Sequence, residues 1–315
     1  MLRLIATRIA FALAGLVVVS ALIFWCVEWL PGDAASRILG HDATPEVLAQ
    51  LRHKLHLDVP APERYLQWLG GVVRGDFGMS LAANQPVLTY LRSRAENTGE
   101  LAGFVLLLYT PLSIGLGIWT AMSRGRAVDT VASVLVILGM CVPEFVVGIA
   151  LIAIFAMTLH WFPPLALIDR AHSFGSFVRM LFLPAATLTI AMTAYAVRMM
   201  RENLIEVLDS GYVQMARLKG LPRWRVLLWH ALPSALGPAI NVTALNIAWL
   251  MGGIVVVETV FNFPGLGRLL IDAIDLKDIP VILGVSLLLT AVYILCNLLA
   301  DIAVLLLSPK LRHAG

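Results

Sequence analysis

The chain has 315 residues, of which 59% are hydrophobic and only 14% charged, against roughly a quarter charged in soluble domains. A mean hydropathy of +0.86 excludes a soluble enzyme and puts the chain in a bilayer. The net charge of +3 fits the basic excess of cytoplasmic loops, so no nucleic-acid partner is called for.

Six apolar stretches lie near 9–30, 99–122, 130–158, 181–200, 235–260 and 281–307. Each reaches the roughly 20 residues a helix needs to cross a hydrocarbon core of about 30 Å. The expected class is an all-α integral membrane protein with six transmembrane helices. The first run, Ile9 to Val27, follows Arg3 and Arg8. It is too long for the apolar region of a signal peptide and no small-residue cleavage site follows, so residues 1–30 read as a retained anchor.

Residues 31–98 form the one sizeable extramembrane segment. Thr44-Pro45-Glu46 ahead of Val47, Leu48, Leu51 and Leu55 predicts a capped amphipathic helix. Tyr65, Leu66, Trp68 and Leu69 predict a second, ended by Gly70-Gly71. A segment this short makes a helical cap rather than a domain with a large core. His53 and His56 share a helix face with His41 nearby, but Arg52 and Lys54 beside them favour solvated imidazoles over a metal site. The three cysteines, Cys26, Cys141 and Cys296, sit far apart inside apolar runs and read as buried free thiols.

Residues 99–315 hold the other five spans. A charge inside a span costs roughly 2.5–3.5 kcal/mol on insertion scales, so such groups face protein or water. Glu144, after Pro143 in the middle of span three, and Glu258, near the outer end of span five, are candidates for a translocation path. Glu28 and Asp301 lie close enough to an interface to snorkel. Thr187, Thr189 and Thr193 with Asn241, Thr243 and Asn246 supply either a polar lining, where Thr193 and Asn246 join the path, or interhelical hydrogen bonds. Gly252-Gly253 and the Pro264-Gly265-Leu266-Gly267 turn are candidates for close packing and bends in alternating access.

Between spans four and five, Tyr212 to Pro233 reads as a basic helix–turn–helix. Tyr212, Ala216 and Gly220 recur every four residues and so share one face. Gly220 suits a left-handed C-terminal cap, and Pro222 stops the helix two residues later. Arg217, Lys219, Arg223 and Arg225 make the segment strongly positive. The residues alone support two readings: a docking element for a partner, or an amphipathic helix lying on anionic lipid.

Basic residues set the orientation. Arg3, Arg8, Arg124, Arg126, Arg198, Arg201, the four of the 212–233 segment, Lys310 and Arg312 fall on one side. The two short loops opposite hold only Arg170, Arg179, Arg268 and Lys277, and long translocated segments such as 31–98 are exempt. Both termini are expected in the cytoplasm.

The chain carries no G-x-x-x-x-G-K-[ST]: none of Lys54, Lys219, Lys277 and Lys310 ends a glycine loop. No G-x-S-x-G, H-E-x-x-H or Ser/His/Asp pattern stands in a plausible setting either. The chain is expected not to be an enzyme and to bind no cofactor of its own. Any ATP that drives it belongs to another polypeptide.

At 212–233 the sequence resembles the EAA loop of bacterial ATP-binding-cassette (ABC) importer permeases, with its pattern E-A-A-x-x-x-G followed by a Leu-Pro end. Gln214-Met215-Ala216 stands for E-A-A, Gly220 for the glycine and Ala231-Leu232-Pro233 for the end. Gln214 and Met215 depart from the pattern. Three further strings resemble landmarks of the dipeptide/oligopeptide/nickel branch. They are Leu30-Pro31-Gly32-Asp33, Trp68 to Ser80 with Gly75-Asp76-Phe77-Gly78, and Val257 to Leu270 with Phe263-Pro264-Gly265-Leu266-Gly267. The resemblance covers nearly the whole chain and includes the N-terminal anchor typical of the first of two paired permeases.

The resemblance implies a type I ABC importer permease fold: anchor 1–30, extracytoplasmic helical segment 31–98, and permease core 99–315 with a coupling loop at 204–233. It implies that Tyr212, Gln214, Ala216, Arg217, Lys219, Gly220 and Leu221 engage an ATPase subunit. The implied partners are a second permease in a heterodimer, one or two ABC ATPases carrying the ATP, an extracytoplasmic substrate-binding protein, and membrane lipid, in the bacterial inner membrane. Peptides are the expected substrate, with nickel or its chelates the alternative; glutathione-like peptides, opines and sugars belong to the same branch. A secondary carrier or channel is the competing class. It would carry repeated halves, and no convincing internal repeat is present.

Overall fold

The computed structural model describes residues 2–40 and 44–307, and His41 falls outside them. In chain order the helices are α1 (Leu2–Trp29), α2 (Ala34–Leu39), α3 (Pro45–Lys54), α4 (Ala61–Val73), α5 (Val87–Met122), α6 (Ala127–Cys141) and α7 (Glu144–Leu151). There follow α8 (Phe174–Leu208), α9 (Gly211–Leu218), the single turn α10 (Arg223–Arg225), α11 (Leu232–Val260), α12 (Leu266–Asp275) and α13 (Ile279–Leu307). Among the described residues no strand forms beyond an isolated bridge, Met79 to Pro86.

Two compact units emerge, one from residues up to 99 with 264–294, the other from 100–263 with 295 onward, the boundaries falling inside α5 and α13. In the first, α4 lies along α1. Tyr65 packs on Phe24 with ring centroids 5.3 Å apart, and its hydroxyl is 2.9 Å from the Ser20 hydroxyl. Glu28 does not reach for water alone, as expected; Arg64 donates to its carboxylate at 2.6 Å. Nor do Gly70-Gly71 end α4, which runs on to Val73. A glycine inside a helix costs only about 1 kcal/mol, which packing against α1 offsets.

Asp33 caps α2. Its carboxylate accepts from the Ser36 amide at 2.9 Å and from Arg52 of α3 at 2.6 Å. Burial alone would raise the Asp33 pKa, but the Ser36 amide, Arg52 and the Ser36 hydroxyl outweigh it and hold the carboxyl below its ordinary value. The α12–α13 turn ties three sequence-distant pieces together. Buried Lys277, at φ 53°, donates through Nζ to the carbonyl oxygens of Leu30 and Gly32. Burial, helped by Arg37, holds its ammonium below the usual lysine range against Glu28 and Asp33. Asp278 beside it accepts from the Ser80 hydroxyl at 2.5 Å and the Ala82 amide at 3.1 Å.

The second unit is organised around α8, against which α6, α7 and α11 pack. Tyr109, Leu188, Met192, Leu250, Ile254 and Phe261 are buried in its core. The stretch expected as one span at 130–158 is broken: α6 and the Glu144–Thr158 segment meet at 105°. Pro143 has no N–H to continue the ladder, and it forces Val142 to extended backbone (φ −85°, ψ 122°).

Among the described residues, four helical stretches are long and apolar enough to span a membrane: Ala10–Trp29, Val87–Met122, Phe174–Leu208 and Ile279–Leu299. The bent pair raises the number to five, and α11 adds the shorter apolar stretch Leu245–Val260. Two helices outrun their expected apolar cores, α5 beginning at Val87 and α8 covering 174–208. Charged i,i+4 pairs support these extensions, Arg92–Glu96 ahead of the α5 core and Arg198–Glu202 across the end of the α8 core. Cys26 and Cys141 are exposed rather than buried, because an apolar helix that faces lipid has no protein over that side.

Candidate functional site

The 209–232 connection folds as the sequence requires. Asp209 ends α8, α9 runs eight residues, and Gly220 takes φ +78° before Pro222 starts α10. A side chain at Gly220 would have open space around it, so its requirement is for the left-handed backbone. Six residues, Val226–Ala231, form a π-helical turn leading into α11.

The loop is fastened from beneath. Val213 and Ala216 are buried with Met200 and Leu204 of α8, Ala121 of α5, and Val226, Ala231 and Ala235. Gly117 of α5 permits this approach: a Cβ there would stand 2.6 Å from Met200 Cγ. Ala216 therefore packs on the chain's own core instead of offering a small face to a partner. Tyr212 is half exposed, and its hydroxyl donates to the His230 carbonyl at 3.4 Å. The face turned outward is Met215 and Leu218, exposed to 57% and 81%, with exposed Arg217, Lys219 and Gly220 around them and half-buried Leu221 behind.

Gln214 uses its amide locally, donating from Nε2 to the Asp209 carbonyl at 3.1 Å. A glutamate, ionised at neutral pH, has no donor for that bond. The departure from the E-A-A pattern thus has a physical counterpart.

Polar ties join the loop's base to the α5–α6 turn. Arg124 donates to Asp209 at 2.7 Å. Arg201 forks onto Asp129, Nε to Oδ1 and a terminal nitrogen to Oδ2, both at 2.8 Å. The Gly125 amide adds 3.1 Å to Oδ2. Sequence reasoning missed Asp129, although a lone acid in the first turn after Arg124 and Arg126 is a visible signal. It also missed Met215 and Leu218, whose signal is an apolar i,i+3 pair flanked by cations.

The path candidates do not form one cluster. Glu144 is half-buried at the N-terminus of α7, which suits a carboxylate, and has no hydrogen-bond or ion-pair partner among the described residues. Thr193 is buried, its hydroxyl and that of Thr189 without a hydrogen-bond partner among the described residues, whereas Thr187 donates to the Leu183 carbonyl. Asn246 donates to the Tyr109 hydroxyl at 2.9 Å, an interhelical bond between α11 and α5. Glu258 is fully buried twelve residues further along α11, about 18 Å away at the rise of a helix. The side chains of Asn241 and Asp301 lie outside the described residues.

Residues 113–313 match the family described as binding-protein-dependent transport system inner membrane component, and residues 1–102 match its N-terminal membrane component. The chain belongs to this family. It is a permease of the inner membrane and a transport component rather than an enzyme. The permease is similar to a probable peptide ABC transporter permease of Sinorhizobium fredii, 35% identical over 98% of this chain and 99% of that one. It is 36% identical to a putative peptide transport system permease of Brucella abortus, over 99% of this chain and all of the other. A glutathione transport system permease of Salmonella choleraesuis is 34% identical over 99% of the permease and the whole of its own length. These matches bear out the resemblance to ABC importer permeases drawn from the 212–233 segment.

Proposed function

We propose that the permease is one of two paired subunits that form the path of an ATP-driven importer of peptides, the 204–233 loop passing motion from separate ATPase subunits. On this reading it has six spans, the sixth crossing supplied by α11, and both termini in the cytoplasm. It binds no cofactor itself: ATP sits on one or two ATPase subunits, and an extracytoplasmic binding protein selects the substrate. The observation that carries the coupling role is the geometry of α9. One side is buried on the ends of α5, α8 and α11, and the other presents Met215 and Leu218 beside exposed Arg217 and Lys219. A rigid mount with an apolar contact point is what a lever needs, and rim charges steer an acidic partner. The names of the curated relatives, peptide and glutathione permeases, support the substrate class.

The test is co-purification of a Leu218→Glu permease with its ATPase, beside uptake of dipeptides, glutathione and nickel in a deletion strain. Membrane insertion with capture lost is the expected result. Unimpaired capture refutes the coupling face, and uptake of nickel without peptides refutes the substrate.

A further inference from the structure

Behind the coupling turn lies a recess of about 540 Å³, within the range of small-molecule sites, bounded by the ends of α5 and α8 and by the α9–α10 turn. Arg124, Arg217 and Arg223 line it against one acid, Asp209. Arg124 is tied to Asp209 at 2.7 Å. The side chains of Arg217 and Arg223 have no hydrogen-bond or ion-pair partner among the described residues, so the recess carries uncompensated positive charge. The rest of its wall is apolar, Leu208 and Leu221 among it.

We propose that this recess binds an anionic phospholipid, the phosphate held by Arg217 and Arg223 and the glycerol end of the tails lying on Leu208 and Leu221. Arginine suits the task because its planar fork meets two phosphate oxygens at once. The recess adjoins the end of the apolar run of α5 at Met122, where headgroups begin, and the end of the charged extension of α8 at Leu208. Basic pockets between helices on the cytoplasmic side face an anionic leaflet. A plain aqueous anion has no use for the apolar wall, and a zwitterionic lipid brings its own cation into the recess. Occupancy would brace the back of the coupling turn, making its position depend on membrane composition. The inference rests on the loop facing the cytoplasm, which is part of the function proposed above.

The full-length permease, purified in detergent, is titrated with dioleoyl phosphatidylglycerol, dioleoyl phosphatidylcholine and inorganic phosphate, and bound lipid is counted by native mass spectrometry. One phosphatidylglycerol is expected to bind in preference to phosphatidylcholine. Arg223→Gln should weaken it about fivefold, the worth of one cation near an anionic headgroup. Arg225→Gln, in the same turn but outside the recess, should leave it unchanged; equal weakening by both variants would mean general surface attraction and overturn the site. Phosphatidylcholine binding as tightly also overturns it. So does displacement by inorganic phosphate at millimolar concentration, which would make it a free-anion site, or by the ATPase subunit, which would assign the recess to an acidic side chain of the partner. Arg223→Lys, keeping charge without the fork, should fall between wild type and Arg223→Gln, and thermal melts of each variant separate lost binding from lost fold. Orientation is read separately, by labelling Lys219→Cys with a membrane-impermeant maleimide. Labelling from outside refutes the coupling function and the leaflet assignment, whatever the lipid affinity in detergent.

Discussion

Asp129→Ala tests whether the α5–α6 turn is fastened to α8. The Asp129 carboxylate accepts both Arg201 nitrogens at 2.8 Å and the Gly125 amide at 3.1 Å. Hydrogen bonds to charged groups are worth about 1.5–3 kcal/mol each when buried. Asp129 is nearly buried, but the Arg201 side chain is 25% exposed, so the freed guanidinium regains water and the loss is discounted. About 2–3 kcal/mol is the expected cost, a fall of roughly 30- to 150-fold in the folded-to-unfolded ratio. For a unit of this size that lowers the melting temperature by about 4–12 °C. Thermal unfolding of the purified permease, followed by tryptophan fluorescence, measures it in a cycle with Arg201→Ala and the double variant. The coupling between the two sites should be about 1–2 kcal/mol. If the single losses sum to the double within about 0.5 kcal/mol, the fork holds nothing and the reasoning fails.

Gly220→Ala should cost about 1 kcal/mol through backbone alone, since φ is +78° and nothing crowds the position. Gly220→Asn should recover part of it, asparagine tolerating this region better; matching melts for Ala and Gly would contradict the assignment. At Asp33 the folded pKa is lowered from 3.8, so its contribution is present above that value and is lost as pH falls through the folded pKa. Asp33→Asn should therefore destabilise at pH 6.5, by up to about 1 kcal/mol given the exposure of Arg52, and the gap should shrink below pH 3.8. A gap that widens in acid counts against the Arg52 pair.

Apolar length was readable in the sequence because a bilayer demands it, and so were the α9–Gly220–Pro222 break and the amphipathic helices after Thr44 and around Tyr65 to Leu69. Hydropathy has no memory of direction, which is why 130–158 read as an unbroken run although Pro143 bends it. Helix ends beyond the apolar core were invisible for the same reason: Arg92–Glu96 and Arg198–Glu202 sustain helix without adding hydropathy. The spacing of Tyr212, Ala216 and Gly220 suggested one shared face, but α9 ends at Leu218 and Gly220 stands beyond it in left-handed backbone. Which way that face turns depends on Met200, Leu204 and Ala121, contributed by other helices, so Ala216 was placed outward when it is inward. Asp129 and Arg201 are 72 residues apart, and nothing local announces their meeting.

The Lys277–Asp278 turn also sets a clock. Its hydrogen bonds reach back 247 residues to Leu30 and 198 to Ser80. At about 5–20 residues per second, a ribosome needs roughly 10–50 s to make the intervening chain. For that interval Leu30, Gly32 and Ser80 stand without the groups that will bond them. The first part of the protein to be made is among the last to be finished, and a message truncated before Lys277 leaves a segment that never closes.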